Sequence, residues 1–359
     1  MKKSFLFLSL AVLSLTACSS DDNNGPSIVP PSSGATLSPQ VGGPAQPNQV
    51  YIDFSSNNTT AVSRTAWDLG FYSGSDFRVV INGSIKMAVK QTESTDITQP
   101  VEIDSEVSVA AHAAGGTLTG GNTQYIDNPS GDINGTAFAS VSATDSENKV
   151  YLVNLGNAIG DGAVSGQHRG WKKVRVLRSG NDYKIQYAEV DATTYEEKVI
   201  SKNPEYNFTF FSLTTNNVVS AEPKKAEWDI NFTTFTNTLQ YGPNLVSYFY
   251  SDFIVSNTKA GTKVYQVTTE DGEGLADYEA FTLADVDNSL FNTDEAKDQR
   301  AIGPNWRNPG GPDTNPSVKD NVFYVVKDVS GNIYKVVFRG MVNEEGERGN
   351  PTIEYSLVQ

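Results

Sequence analysis

The sequence predicts a mostly β fold, arranged as two tandem all-β domains with few short helices. Three observations predict it. Val, Thr and Ile are frequent beside 17 Phe and 16 Tyr, with only 3 Met, and long Ala/Leu/Glu/Lys stretches are missing, which favours strands. β-branched and aromatic runs are bounded by Gly, Asn, Asp and Ser, as strands between turns are. A set of motifs is also written twice at a domain-sized interval.

The chain has 359 residues, which suits two cores better than one. It opens with "MKKSFLFLSLAVLSLTAC", two lysines followed by an apolar stretch of secretory length and small residues before a cysteine. Leu15-Thr16-Ala17-Cys18 resembles a bacterial lipobox, which implies a signal peptide over 1–17 and lipidation of the Cys18 thiol. The anchor would then sit in outer-membrane lipid. Cys18 is the only cysteine, so no disulfide can form within the molecule. Residues 18–49 are dominated by Ser, Gly, Pro and Asn and read as a flexible linker. Such a tether spans ~30 Å. "CSSDD" also resembles the acidic signal that directs Bacteroidetes lipoproteins to the cell surface. No further apolar run approaches the length of a membrane span.

Removing 1–17 takes away Lys2 and Lys3 and leaves 25 basic against 42 acidic residues, a net charge of −17. Such a surface repels phosphate backbones, so nucleic acid is excluded as a partner.

The first copy begins "VYIDFSSNNTTAVSRTAWDLGF" at Val50, and the second begins "FTFFSLTTNNVVSAEPKKAEWDINF" at Phe208. Tyr51 and Phe54 correspond to Phe210 and Leu213, and Trp67-Asp68 to Trp228-Asp229. Both copies close alike, with "SGNDYKIQY" from Ser179 and "SGNIYKVVF" from Ser330. The interval is too long for a solenoid repeat, so the domains are 50–203 and 204–359. Strands are predicted over 149–155, 172–177, 183–190, 321–326 and 333–338, and one helix over 274–291. The Ser-Gly-Asn tripeptides supply residues that tolerate positive φ in hairpin turns.

Strand alternation accounts for the Trp-Asp dipeptide. The tryptophan and the next apolar residue share one face and anchor a core, while the aspartate faces the other way and accepts hydrogen bonds from a neighbouring loop.

At these residues the chain resembles the HmuY family of Bacteroidetes surface lipoproteins. Trp-Asp-(Leu/Ile)-x-Phe, the segment "MAVKQTESTDITQPVEID" (87–104) and the close "NVFYVVKDVSGNIYKVVFRGM" (321–341) carry the resemblance, which covers both copies. It implies an all-β fold of HmuY type and a non-enzymatic binding function. The founding members take haem from host proteins and pass it to a TonB-dependent outer-membrane receptor, so haem is the cofactor and such a receptor the partner that the resemblance implies.

Haem requires axial ligands, commonly His or Met, and groups to meet its propionates. In haem-binding relatives one ligand lies before the penultimate strand. Here the loops 303–320 and 125–148 contain neither His nor Met. His112 in "VAAHAAGG" matches the mid-domain ligand loosely. The remaining candidates are Met87, His168 in "SGQHRGW" and Met341 for iron, with Arg307 and Trp306 for a propionate and a ring face. Both histidines lie in the first copy.

A second reading is a surface glycan- or protein-binding module in which Trp171, Trp306 and the run Tyr248-Phe249-Tyr250 give stacking platforms. Two histidines and one lipidated cysteine cannot build a Cys/His zinc cluster. A Gly-x-Ser-x-Gly elbow and a phosphate loop are both missing. "DVDNSLFNTDEA" (285–296) has Leu290 where a calcium loop needs Gly and Ala296 where it needs a bidentate acid.

Overall fold

The computed structural model describes residues 30–112, 117–162, 166–311 and 314–358. The signal segment and Cys18 lie outside the described residues. Everything from Pro31 onward forms one compact unit.

The chain is mostly β, as its composition predicts. Strands form at Val150–Asn154, Trp171–Ser179, Asp182–Ala188, Val322–Lys327 and Ile333–Val342, each within a few residues of expectation. The helix predicted over 274–291 is shorter. It runs over Gly274–Ala280 and gives way to single 3-10 turns at Leu283–Asp285 and Leu290–Asn292. Asp285 accepts from the Thr282 backbone N–H at 2.8 Å, and this capping starts a new turn instead of continuing the old one. Among the described residues no helix is long and apolar enough to cross a membrane.

Each copy builds a five-stranded antiparallel sheet. The first is ordered Glu196–Ile200, Asp182–Ala188, Trp171–Ser179, Val150–Asn154, Ala88–Gln91. The second is ordered Gly34–Leu37, Arg348–Leu357, Ile333–Val342, Val322–Lys327, Lys263–Thr268. Its edge strand Gly34–Leu37 comes from the segment that composition marks as linker. Ala35 pairs with Tyr355, Leu37 packs on the second core and Val41 is buried in it. The flexible linker expected over 18–49 therefore gives way to folded chain before Asn48. Three apolar side chains, at 35, 37 and 41, are enough to pair that stretch with the last strand, and a Ser/Gly/Pro count does not register them.

Two four-stranded sheets join the copies by exchange. The hairpin that opens the first copy (Asn48–Asp53 and Asn58–Ser63) pairs with Ile230–Tyr241 of the second. The hairpin that opens the second (Phe208–Ser212 and Asn217–Val219) pairs with Leu69–Tyr72 of the first. Ile52 faces Ile230, and Phe210 faces Gly70. A Cβ at Gly70 would stand 3.1 Å from the Phe210 ring and 2.8 Å from Val80, which accounts for glycine there.

Each core is thereby completed by the other copy. Phe211 and Leu213 fill the core around Leu69, Phe71 and Ile185. Val50, Ile52 and Phe54 fill the core around Ile230, Tyr334 and Ile353. Burying each such side chain contributes ~1.5–3 kcal/mol.

Candidate ligand site

The Trp-Asp dipeptides sit where the exchanged hairpins meet their strands. Asp68 precedes the strand Leu69–Tyr72, and its backbone N–H bonds to the Phe211 carbonyl at 2.9 Å. Its carboxylate accepts from the Leu213 N–H at 2.7 Å and pairs with Arg169 at 2.7 Å. In the second copy Asp229 accepts from the Phe54 N–H at 2.9 Å, without an arginine partner. The aspartates thus accept bonds from a neighbouring loop as alternation suggested, and that loop belongs to the other copy.

Trp228 is buried, as expected of a core residue, but Trp67 is only half-buried, and neither indole belongs to the two large cores. The strands begin only at Leu69 and Ile230, so period-two alternation does not reach back to Trp67 and Trp228. Each indole instead stands edge-on to the exchanged hairpin. Trp67 meets Phe210 with centroids 4.7 Å apart, and Trp228 meets Tyr51 at 5.0 Å. These are equivalent pairs, related by the internal repeat.

Between them lies a cavity of about 170 Å³ walled by both copies. Its apolar wall includes Trp67, Trp228, Tyr51, Phe210, Met87 and Phe235. Four residues of this wall each carry a buried polar atom without a hydrogen-bond partner in the protein: Trp67 Nε1, Trp228 Nε1, Asn231 Oδ1 and Ser256 Oγ. Buried polar groups are ordinarily paired, so these four are exceptions to the rule.

Three titratable groups border the same space. Glu222 is buried and accepts the Asn207 N–H at 3.0 Å and the Phe208 N–H at 3.2 Å. Loss of hydration pushes its carboxyl up to about 8. Asp127 accepts from the Ile81 and Ala137 N–H groups, each at 2.8 Å, and burial pushes it up to about 7. Lys259 donates to the Gly131 carbonyl, and burial lowers its pKa. Burial thus disfavours the charged form of all three groups.

Comparison with known families decides the kinship. The family model described as HmuY protein matches residues 45–201 and again 204–355. The chain belongs to the HmuY family. Its two HmuY segments coincide with the two copies seen in the motifs. Among solved structures, the apo HmuY analog of Tannerella forsythia aligns over 91% of this chain and 96% of its own, at 8% identity and a TM-score of 0.24. No curated protein matches significantly.

The HmuY resemblance singled out six side chains for haem, and the structure places them apart. Met87 is fully buried in the first core, where it also borders the cavity. Met341 is buried in the second core. His112 is exposed on the short strand Ala111–His112, with Nε2 3.3 Å from the Tyr248 hydroxyl. His168 is exposed, bonds through Nε2 to Asn154 Oδ1 at 2.9 Å and lies against Trp171, while partial burial lowers its pKa. These four stand in four different surroundings, so no pair of axial ligands is assembled. Arg307 is buried and donates to the carbonyls of Asp252 and Ser251. Trp306 is buried beside it and donates to the Asp252 carbonyl at 3.2 Å. Both are occupied in holding the strand Asn244–Ser256 at Ser251 and Asp252. Among the described residues no group of three or more His, Cys, Asp and Glu could hold a metal ion.

The stacking platforms of the second reading are likewise limited. Trp306 and Phe249 are buried, and Trp171, Tyr248 and Tyr250 are half-buried.

Sequence reasoning missed Glu222, Asn231 and Ser256. One signal for Asn231 was present. It occupies the position of Gly70, a polar amide between Ile230 and Phe232 where the other copy has glycine.

Proposed function

We propose that this HmuY-family chain is a non-enzymatic binding lipoprotein, held at the bacterial surface through Cys18, which takes a small ligand into the cavity between the copies. The observation that carries this reading is the cavity itself: about 170 Å³ of space walled by both copies, with aromatic rings from each beside polar side chains such as Asn207, Asn231 and Glu222. Pockets of this composition, mostly apolar with a few convergent polar groups, are the usual form of a small-molecule site.

On this reading haem is not bound through iron ligation, because Met87 and Met341 are core residues and the two histidines lie on separate surface segments. A haem titration of the detergent-solubilised full chain tests it. No saturable Soret band is expected. A sharp saturable band that His112→Ala abolishes would replace this reading with haem capture and transfer to a TonB-dependent receptor, the role that HmuY kinship favours.

A further inference from the structure

The second copy carries a long hairpin that the first lacks. Its strands Ile230–Tyr241 and Asn244–Ser256 have 12 and 13 residues, whereas Leu69–Tyr72 and Val79–Ile81 of the first copy have 4 and 3. Residues 230–251 contain no Asp, Glu, Lys, Arg or His, in a chain whose net charge is −15. The far end of the hairpin is open to solvent, with Tyr241 40% and Leu245 55% exposed. Apolar side chains exposed together in this way mark interaction surfaces.

One edge of the hairpin is also open. The strand Ile230–Tyr241 pairs with Asn244–Ser256 along its length, but with Asn48–Asp53 only at Ile230, Asn231 and Phe232. The Thr234 and Thr236 hydroxyls then bond to the Ser84 and Gly83 carbonyls. Over 237–241 that edge pairs with no other described strand. Tyr241 faces Asn244 across the Gly242-Pro243 turn, so the backbone N–H and C=O groups of Thr238 and Gln240 point outward along the open edge. Natural edges are blunted by Lys, Pro or a bulge. The stretch Asn237-Thr238-Leu239-Gln240-Tyr241 has no Lys or Pro, and the strand's bulge lies below it, between Thr233 and Phe235.

This edge is self-complementary. Antiparallel pairing of 237–241 with itself, centred on Leu239, sets Leu239 opposite Leu239, Thr238 opposite Gln240 and Asn237 opposite Tyr241. The outward groups of Thr238 and Gln240 then meet as hydrogen-bonded pairs. Leu239 shares a face with Tyr241 and with Val246, its partner across the hairpin, so the apolar surface continues over the joint. Acidic chains repel one another wherever their charged surfaces meet, and this stretch brings no charge to the contact. We propose that two molecules of this protein associate edge to edge through 237–241, joining their hairpins into one continuous sheet about a two-fold axis. The association is independent of the ligand reading above. So short a ladder is small beside the ~800 Å² per partner of a stable complex, so the dimer is weak and concentration-dependent.

The test is sedimentation velocity of the full chain in density-matched detergent over a wide range of protein concentration. A monomer–dimer equilibrium is expected, and added salt should strengthen it by screening the acidic bodies from each other. Leu239→Lys and Leu239→Glu each place like charges face to face at the two-fold axis, and each should weaken dimerisation about tenfold. An equimolar mixture of the two variants sets Lys against Glu and should restore the dimer. Circular dichroism and urea midpoints establish that each variant is folded. A chain that stays monomeric at every concentration would overturn the proposal, as would a dimer that neither variant weakens. Two weakened variants that mixing does not rescue would overturn the pairing centred on Leu239, and the proposal with it.

Discussion

Asp68 and Leu213 are 145 residues apart and belong to different copies, yet the Asp68 carboxylate accepts the Leu213 backbone N–H at 2.7 Å. Asp229 does the same for Phe54 of the first copy at 2.9 Å. The two aspartates hold the reciprocal hairpin exchange in place, and the exchange brings Trp67 and Trp228 to one cavity.

Replacing Asp68 by Ala should be severe. Its side chain is fully buried, and its removal leaves the Leu213 N–H without its acceptor and the Arg169 guanidinium without a counter-charge, held only by the Leu155 carbonyl and the Thr214 hydroxyl. Breaking a buried ion pair from one side costs ~3–5 kcal/mol. Urea denaturation measures it. A loss below ~1 kcal/mol would show that the hairpin does not depend on this carboxylate.

Asp229 and Glu222 make stability depend on pH in a defined direction. Burial holds each up to about 8 in the folded protein, far above the ordinary carboxylate range. A carboxyl with a raised folded pKa binds its proton more tightly when folded. Its contribution is complete below about pH 4 and is lost as pH rises through about 8. The urea midpoint should therefore fall between pH 5 and pH 9. Asp229→Asn retains an acceptor for the Phe54 N–H and should flatten that slope. An unchanged slope in Asp229→Asn would contradict the assignment.

Hairpin exchange should make the two copies unfold as one. Neither core is complete without Phe211 and Leu213, or Val50, Ile52 and Phe54, from the other copy. Urea unfolding followed by far-ultraviolet dichroism and by tryptophan fluorescence should give coincident single transitions. The segments 31–203 and 204–359, co-expressed as separate chains, should purify as a complex. Two resolved transitions, or halves that fold separately, would contradict the exchange.

Part of this was legible in the residues. Runs such as "KVYLVNL" and "IYKVVF" are strands by composition alone, and the doubled Trp-Asp and Ser-Gly-Asn motifs mark the two copies. The exchange was not legible. "VYIDF" and "FTFFSL" present the same apolar pattern whether they pair with their own copy or with the other one, so local periodicity cannot choose the partner strand. The cavity was hidden for a related reason. Periodicity reports which face is buried, whereas the site is a space enclosed between side chains that the exchange brings together from two copies. Alternation also misplaced Trp67 and Trp228, because the chain becomes a regular strand only after the aspartate.

The early strand Gly34–Leu37 gives a further prediction. It covers the edge of Arg348–Leu357 and brings Val41 into the second core. Gly34 has φ +138°, and a Cβ there would stand 2.4 Å from the Tyr355 carbonyl oxygen. Gly34→Val should detach the strand, and Val41→Ala should add a core cavity, each costing ~1–3 kcal/mol. Urea midpoints equal to those of the unaltered protein would show that the segment is not part of the folded unit.

The most direct test of the inter-copy cavity is the ¹⁵N–¹H spectrum of the indole groups during titration with small-molecule probes such as nicotinamide, benzene and glucose. The chain has 4 tryptophans. Trp67 and Trp228 Nε1–H lack partners, Trp306 Nε1–H is bonded to the Asp252 carbonyl, and Trp171 lies beside His168. The account predicts that the Trp67 and Trp228 signals move together and saturate at one ligand per chain while those of Trp306 and Trp171 stay in place. Movement of Trp171 alone, or of no indole signal at all, would contradict it.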